Sequence, residues 1–336
     1  MTTRASILLT LAVLVAVPAP AQKSKKKTED EMATQTLPVL KDPPPAVAAE
    51  TDHLVFHLSP LSGKGLLSQQ VRDALKALLR DTRGATIVKL RAFVAGTGDM
   101  RRVPAIVSEV FTEHKLALPA VSTIAVGALP LEGAQVVIES IAVDKRAVNP
   151  NGLAFYSGRP VADLRPVADV LHATCFLSSL DDLPAVKPAI TAAFPGATVN
   201  FVQLQRLGLE RVDVCEAVSR LESAPAAPIA IENGVARVHS PKIVMTGIQM
   251  AFRSSEADFR LAFDRLGRVL EPLGTSNNNV FWASTYTLTR SVEEKVRAFE
   301  AGFFPRANAP AGTILMFEAL PSLDAAMAVD VMAAAN

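Results

Sequence analysis

Hydrophobic and polar positions follow the same pattern in three stretches of equal length. Each stretch of 25 residues begins with a mostly apolar run, typical of a buried strand, and continues after a polar break into apolar positions at helical spacing. The stretches are 87–111, 170–194 and 280–304. Each has an aromatic residue at the seventh place, valine ten residues later and phenylalanine at the end. The repeat predicts three related small domains in one polypeptide.

Flanking segments extend each block into a longer unit. Two apolar runs of strand length follow every block, at 121–126 and 135–143, at 199–204 and 211–218, and at 313–317 and 326–332. An amphipathic helix pattern precedes the first and third blocks, with apolar stripes that start at Leu67 and Phe259. Only about ten residues separate Arg159-Pro160 from Val170, so the middle unit is predicted to lack this helix. The order of elements predicts an α+β fold with sheets covered on one side.

The N-terminal segment has the pattern of a secretory signal peptide, which we place at 1–21. Arg4 gives a positive start, 7–17 is a short apolar run, and Ala19-Pro20-Ala21 is a cleavage site. The sequence therefore predicts an exported protein, periplasmic or secreted, and an uncleaved N-terminal anchor is the alternative. Residues 22–52 combine a basic run with Pro43-Pro44-Pro45, which predicts a disordered linker. The predicted units are then 53–146, 147–226 and 227–336.

Composition excludes several classes of partner. A net charge of +1 and 5% aromatic residues provide neither the field nor the stacking surface that nucleic-acid binding needs. No segment after the signal peptide is long and apolar enough to be predicted as a membrane span. The two cysteines, Cys175 and Cys215, fall in predicted strands, and we interpret them as small buried hydrophobic residues. An oxidising compartment would also permit a bridge between them.

Motifs for familiar chemistry are missing from the sequence. The five histidines have no zinc-ligand spacing, and no nucleophile elbow, phosphate loop or dinucleotide fingerprint occurs. We therefore predict no metal and no cofactor.

The stretch LALPAVSTIAVGALPLEGAQVVIESIAVD, residues 116–144, resembles the C-terminal signature of the YjgF/RidA family, whose usual pattern is PARS…LP…VEIEAIA. The preceding block 87–111 resembles the strand and helix before that signature, and the second and third units match more loosely. The family contains reactive enamine/imine deaminases, and older members carry the label endoribonuclease L-PSP. The resemblance implies a chorismate-mutase-like fold and homotrimers with clefts at the subunit interfaces. Three tandem divergent copies in this chain would form a single-chain pseudotrimer, which predicts a monomer.

The family's catalytic pattern is interrupted at the matching positions of this chain. The arginine of PARS, which binds a substrate carboxylate in the family, corresponds to Val121, Val199 and Gly312. The first glutamate of VEIEAIA, which helps to place the hydrolytic water, corresponds to Val137, Val214 and Ala328. The second acidic position is retained as Glu139, Glu216 and Asp330, for which we favour a structural role. The resemblance thus implies a pseudoenzyme.

Other residues remain candidates for a cleft. Lys187 and Arg297 stand where the family often has asparagine, and they are able to supply positive charge, although solvated helix charges are the simpler interpretation. Ser157 and Thr246 match the family's early hydroxyl position. We favour a divergent protein whose clefts bind a small molecule. The alternatives are an active hydrolase or deaminase with a rebuilt cleft and a structural or protein-binding module.

Overall fold

Strands and helices alternate along the chain as the apolar pattern predicts. The computed structural model describes residues 39–206, 211–305 and 309–335, so the predicted signal peptide lies outside the described residues. The strands are β1 Ala46–Glu50, β2 Leu54–Leu58, β3 Thr86–Ala95, β4 Ala120–Val126, β5 Val136–Val143, β6 Leu153–Pro160, β7 Val170–Leu177, β8 Thr198–Gln203, β9 Asp213–Arg220, β10 Ile229–Glu232, β11 Val235–Val238, β12 Lys242–Thr246, β13 Gln249–Ala251, β14 Val280–Thr287, β15 Ala311–Met316 and β16 Met327–Ala335. The α-helices are α1 Leu67–Asp81, α2 Arg102–Glu113, α3 Leu183–Ala193, α4 Glu256–Leu270 and α5 Arg290–Phe303.

The strands form three sheets that share one pairing scheme. Their orders contain β2-β5-β3-β4, β6-β9-β7-β8 and β12-β16-β14-β15. In each of these four-strand orders the second strand pairs antiparallel with both of its neighbours, and the third strand pairs parallel with the fourth. The repeated blocks begin in the equivalent strands β3, β7 and β14. The α+β prediction is confirmed.

Two additions to the sheets correct the predicted boundaries. Ala46–Glu50, which the sequence assigned to a disordered linker, form β1 and pair antiparallel with β12. Residues 229–238, which were assigned to the third unit, form the hairpin β10–β11 on the edge of the second sheet. Its turn consists of Asn233 and Gly234 with φ of 52° and 72°, the backbone that an Asn-Gly hairpin favours. Asn-Gly between two short apolar runs was therefore the signal for this hairpin.

Helices cover the outer faces of the sheets unequally. The first and third sheets each pack against two helices, α1 with α2 and α4 with α5, through clusters rich in leucine, valine and phenylalanine. The second sheet has only α3 and the 3-10 turn Val161–Asp163, since residues 161–169 contain no α-helix. Its outer core is correspondingly small. Among the described residues no helix has the length and apolar character to cross a membrane.

The inner faces of the three sheets meet in a common interior. One apolar cluster contains Phe93, Phe176 and Tyr286, one from each equivalent strand, together with Phe317. A second cluster contains Phe155, Phe281 and Trp282, with ring centroids 5.1 and 6.0 Å apart for the two pairs that include Phe155. Burying each of these rings contributes on the order of 1.5–3 kcal/mol. That gain needs all three sheets, because no single sheet supplies either cluster.

Cys175 and Cys215 form a disulfide, which corrects the interpretation as two separate hydrophobic residues. The two residues face each other directly in the β7–β9 register, with Cα atoms 4.1 Å apart. The two cysteines are 40 residues apart in the sequence, so their pairing across neighbouring strands could not be predicted from the spacing. The bridge lies in the small outer core of the second sheet, where it adds to a cluster that lacks a second helix.

We expect the Cys175→Ala/Cys215→Ala chain to lose about 2–4 kcal/mol of unfolding free energy, because the bridge restricts the unfolded chain. Urea denaturation followed by circular dichroism measures the difference. Dithiothreitol should lower the wild-type midpoint similarly and leave the double variant unchanged. Equal midpoints for oxidised and reduced wild type would contradict the bridge.

Candidate functional site

A cavity lies in the common interior and is lined by all three sheets. We call it the central cavity; it offers about 70 Å³ for the centres of water-sized molecules. Its walls are mainly apolar: Phe56, Ile141, Phe155, Val218, Trp282 and Met332. Its floor carries titratable groups: Lys89, Arg91, Glu139, His172, Glu216 and Asp330. Phe56, Val218 and Met332 are only partly buried.

Strand alternation explains why charged side chains reach this interior. On β3, Lys89, Arg91 and Phe93 occupy alternate positions and therefore share one face. The equivalent positions of β7 and β14 carry His172 with Thr174 and Trp282 with Ser284. Glu139, Glu216 and Asp330 occupy the paired strands β5, β9 and β16. The polar floor is thus one layer of side chains beside the aromatic cluster.

Arg91 joins two carboxylates from different sheets. Its Nη2 lies 2.7 Å from Glu139 Oε2 and 2.6 Å from Glu216 Oε1. Glu139 also accepts hydrogen bonds of 2.7 Å from Thr174 Oγ1 and from Asn200 Nδ2. Burial by itself would raise the pKa of Glu139, but the charge of Arg91 and the hydrogen bonds from His172 and Asn200 together hold that pKa well below its ordinary value. Glu139 therefore stays ionised inside the protein.

Lys89 makes the second buried ion pair, between the first and third sheets. Its Nζ lies 3.3 Å from Asp330 Oδ2, donates to Ser122 Oγ at 2.7 Å, and donates to the carbonyl of Thr246. Ser122 and Tyr286 also donate to Asp330 Oδ2. Burial lowers the pKa of Lys89, while Asp330 opposes that shift. All three hydrogens of the ammonium group are used inside the protein.

His172 is the one floor residue with an unpaired buried nitrogen among the described residues. Its Nε2 lies 3.3 Å from Glu139 Oε1 and 3.3 Å from Thr174 Oγ1. Its Nδ1 has no hydrogen-bond partner there, although the side chain is only 9% exposed. Because Glu139 accepts, a hydrogen is assigned to Nε2, and in the neutral form of the ring Nδ1 is then an acceptor.

The three positions of the family arginine carry no cation in the structure. Val121 and Val199 are partly buried against the outer cores of their sheets. A Cβ atom added to Gly312 would lie 1.9 Å from the Ala283 carbonyl oxygen, so a larger residue requires the backbone to move. The predicted glutamate positions are equally apolar, since Val137, Val214 and Ala328 contact the cluster around Phe93.

The remaining predicted candidates do not line the central cavity. Lys187 is exposed on α3, and Arg297 is 60% exposed and paired with Glu293 of its own helix at 2.8 Å. The Thr246 hydroxyl is fully buried and accepts from Val331 N. Ser157 Oγ accepts from Gly312 N at 2.9 Å. The predicted acids Glu139, Glu216 and Asp330 are brought together, whereas Lys187 and Thr246 lie apart from any candidate cleft.

A second, more open cleft contains Ser157, Arg297 and Gly312, and its space for water-sized molecules is about 200 Å³. Glu300, also in its lining, accepts a 2.7 Å hydrogen bond from Thr285. Burial raises the pKa of Glu300 to about 7, against the opposing effects of Thr285 and Arg297. A carboxyl group with this pKa is suited to proton transfer near neutral pH. No pattern in the sequence singled out Glu300.

One group of metal-type side chains occurs on the surface of the described part of the chain. Glu50, Asp52 and His53 bring their ligand atoms within 4.8 Å of one another. His53 Nδ1 is 2.8 Å from the Asp144 carbonyl oxygen, which already orients the ring. The group is partly exposed, and its geometry is accounted for without an ion.

Sequence reasoning did not identify Lys89, Arg91, His172, Thr174 and Asn200 as site residues. The sequence contains a signal for Lys89, Arg91 and His172, because each places a charged or imidazole side chain in an otherwise apolar strand run. Such a residue is tolerated in a buried strand when a partner pairs with it. Asn200 carried no comparable signal, since its role depends on a carboxylate from another sheet.

We expect Arg91→Met to lower the unfolding free energy by about 3–5 kcal/mol near neutral pH, because Glu139 and Glu216 lose their buried cation. The depressed pKa of Glu139 stabilises the fold above its ordinary value of 4.5, and this contribution is lost as pH falls below that value. The deficit of the variant should therefore shrink progressively as the pH falls from 4.5 towards the depressed pKa.

Chemical denaturation at several pH values measures this deficit. Arg80→Met is the matched control, since Arg80 forms an exposed pair with Asp81, with the two side chains 73% and 46% exposed. A deficit for Arg91→Met that is independent of pH would contradict the assigned ion pair.

One family model matches the first part of the chain. Residues 47–144 match the model of the family described as Endoribonuclease L-PSP. Among solved structures, a chorismatase is 12% identical with a TM-score of 0.46, over 86% of this chain and 77% of its own. A YjgF/YER057c/UK114 family member from Mycobacterium tuberculosis is 18% identical with a TM-score of 0.26, over 30% of this chain and 82% of its own.

A putative endoribonuclease from Thermotoga maritima is 14% identical with a TM-score of 0.26, over 34% of this chain and 88% of its own. No curated protein matches the chain. Residues 47–144 are therefore similar to the Endoribonuclease L-PSP family, which confirms the YjgF/RidA resemblance for that segment.

Proposed function

We propose that this chain is an exported, single-chain pseudotrimer of three YjgF/RidA-like units that binds a small molecule in the central cavity and does not carry out the family's imine deamination. The central cavity is the observation on which the binding function rests. Apolar walls around a few convergent polar groups are typical of small-molecule sites. In this cavity aromatic walls adjoin a charged floor with an unpaired His172 Nδ1.

Contacts between the sheets support the pseudotrimer. Asn200 of β8 donates to Glu139 of β5, which joins the second sheet to the first. Gly158 N of β6 donates to Thr313 Oγ1 of β15 at 3.1 Å, which joins the second to the third. Lys89 of β3 pairs with Asp330 of β16, which joins the first to the third. Three units that close a ring in this way need no further copy, which favours a monomer.

The side chains at the positions that match the family's catalytic residues cannot perform the deaminase chemistry. A carboxylate clamp needs a fixed pair of parallel donors, which arginine supplies. Val121, Val199 and Gly312 offer no side-chain donor. A water-positioning acid is likewise missing at Val137, Val214 and Ala328, which are apolar and contact other apolar side chains.

Export is supported by two independent features. Residues 1–21 have the charge, apolar run and small-residue cleavage site of a signal peptide. The bridge between Cys175 and Cys215 fits an oxidising compartment, because thiols stay reduced in most cytosolic proteins.

A hydrolase that uses the second cleft is the alternative function. Glu300 favours it, because a carboxyl group with a raised pKa lies in one cleft with the Ser157 hydroxyl and the Arg297 guanidinium. Glu300 would act as general acid or base in that reading, and Arg297 would supply positive charge.

An imine-hydrolysis assay separates the two functions. With 2-iminopropionate generated in situ, we expect no acceleration of keto-acid release over buffer, because the clamp and the water-positioning acid are missing. Glu300→Gln is the matched variant, and exposed Glu294→Gln is its control. Acceleration that is lost in Glu300→Gln and kept in Glu294→Gln would replace the proposed function with the alternative.

We expect the exported protein to begin at Gln22 and to sediment with the mass of one chain. Mass spectrometry of the protein recovered from the extracytoplasmic fraction tests the cleavage, and analytical ultracentrifugation tests the assembly. Retention of residues 1–21 in the cytoplasm would contradict export. A stable homotrimer would contradict a closed ring of three units.

A further inference from the structure

The floor of the central cavity contains more carboxylates than cations. Glu139, Glu216 and Asp330 face Lys89 and Arg91, which leaves one carboxylate in excess when His172 is neutral. Arg91 alone serves both Glu139 and Glu216, and one shared cation compensates two buried carboxylates incompletely, so the interior favours an additional positive charge. The side chains of all three carboxylates are at most 8% exposed, which limits compensation by bulk solvent.

Both fixed cations are already occupied by protein groups. The ammonium group of Lys89 uses its three hydrogens on Ser122, Thr246 and Asp330. Arg91 donates to Glu139 and Thr174 and pairs with Glu216. An anionic ligand that approached Lys89 or the Nε and Nη2 atoms of Arg91 would have to displace one of these contacts. The floor is therefore poorly suited to a carboxylate or phosphate.

Acceptors, in contrast, remain available. His172 Nδ1 is a buried acceptor without a donor among the described residues. The donors to Asp330, which are Lys89, Ser122 and Tyr286, all act on Oδ2, so Oδ1 is left for another donor. A ligand with several N–H groups satisfies both acceptors, whereas a hydroxyl group has only one hydrogen to donate.

The walls complete the recognition of such a ligand. Phe56, Phe155 and Trp282 contribute aromatic rings to the cavity. Aromatic faces attract cations and also pack against alkyl groups. With a charged floor and aromatic walls, one end of the ligand is cationic and the other is apolar.

We propose that the central cavity binds a small organic cation of the alkylammonium class, with its ammonium group on the floor beside His172 and Asp330 and its alkyl group against the aromatic walls. This inference rests on the proposed small-molecule function and adds the chemical class of the ligand. It assigns His172 as a ligand-binding residue, a role that the sequence did not suggest.

The single tryptophan of the chain makes the test direct. Trp282 lines the cavity, so its fluorescence is sensitive to a ligand at this site. The probes are n-butylammonium, 1-butanol and butyrate, which match in length and differ in charge. We expect saturable binding of n-butylammonium with a dissociation constant at least about tenfold lower than that of 1-butanol, and no saturable response to butyrate.

Two variants assign the signal to the cavity. Val218→Phe fills the cavity and should abolish the response, whereas Leu323→Phe, at a position 97% exposed, should leave it unchanged. His172→Phe removes the acceptor and should weaken n-butylammonium by about tenfold while leaving 1-butanol unaffected. Circular dichroism checks each fold, and His172→Phe decides the matter if Val218→Phe does not fold.

The possible outcomes distinguish the alkylammonium class of ligand from the proposed small-molecule binding itself. Equal or tighter binding of 1-butanol or butyrate would overturn the cation class and leave a small-molecule site in place. No saturable response to any of the three probes would overturn both for ligands of this size. Full binding of n-butylammonium by the folded Val218→Phe chain would show that the cation binds elsewhere, which also overturns the inference.

Discussion

Five charged side chains buried where three sheets meet set the main constraint on this structure. Lys89, Arg91, Glu139, Glu216 and Asp330 are acceptable there only as pairs, and every pair includes a partner from another sheet or strand. Removing one partner leaves an uncompensated buried charge, whose cost exceeds that of most single contacts. The three sheets are therefore expected to assemble as one cooperative unit, although each has the elements of a small domain.

The apolar layers on both sides of this charged layer depend on the same assembly. Phe93, Phe176 and Tyr286 come from equivalent strands, so their cluster forms only when those strands converge. The second sheet is the least covered of the three on its outer face. Its disulfide and its additional hairpin stabilise a unit that has one α-helix where the other two have two.

The three sheets share one strand order while their interior side chains differ. Equivalent positions carry Lys89, His172 and Trp282, or Arg91, Thr174 and Ser284. In a homotrimer these positions would be identical, and three lysines or three arginines would repel one another around the centre. This chain instead has a cation, an imidazole and an aromatic residue at the first set of positions, and a cation with two hydroxyls at the second. This asymmetry is what gives the central cavity both a charged floor and an aromatic wall.

The sequence by itself determined the local elements and their repetition. Apolar periodicity placed the strands and helices to within a few residues, because strand and helix faces must be apolar where they are buried. The same pattern accounted for the α+β class, and the motif in 116–144 accounted for the family resemblance of the first unit. The pattern did not reveal β1 or the hairpin at Asn233-Gly234, since short strands on a sheet edge carry little periodic signal.

Tertiary structure alone decided which residues meet. Cys175 and Cys215 lie 40 positions apart, Glu139 and Asn200 61, and Lys89 and Asp330 241. Such pairings depend on strand register and on how three sheets converge, neither of which is encoded in a local window of sequence. Which side chains face inward could be predicted from the sequence, because alternation along a strand is local. Their partners, and with them the charge balance of the cavity, follow from contacts between distant segments.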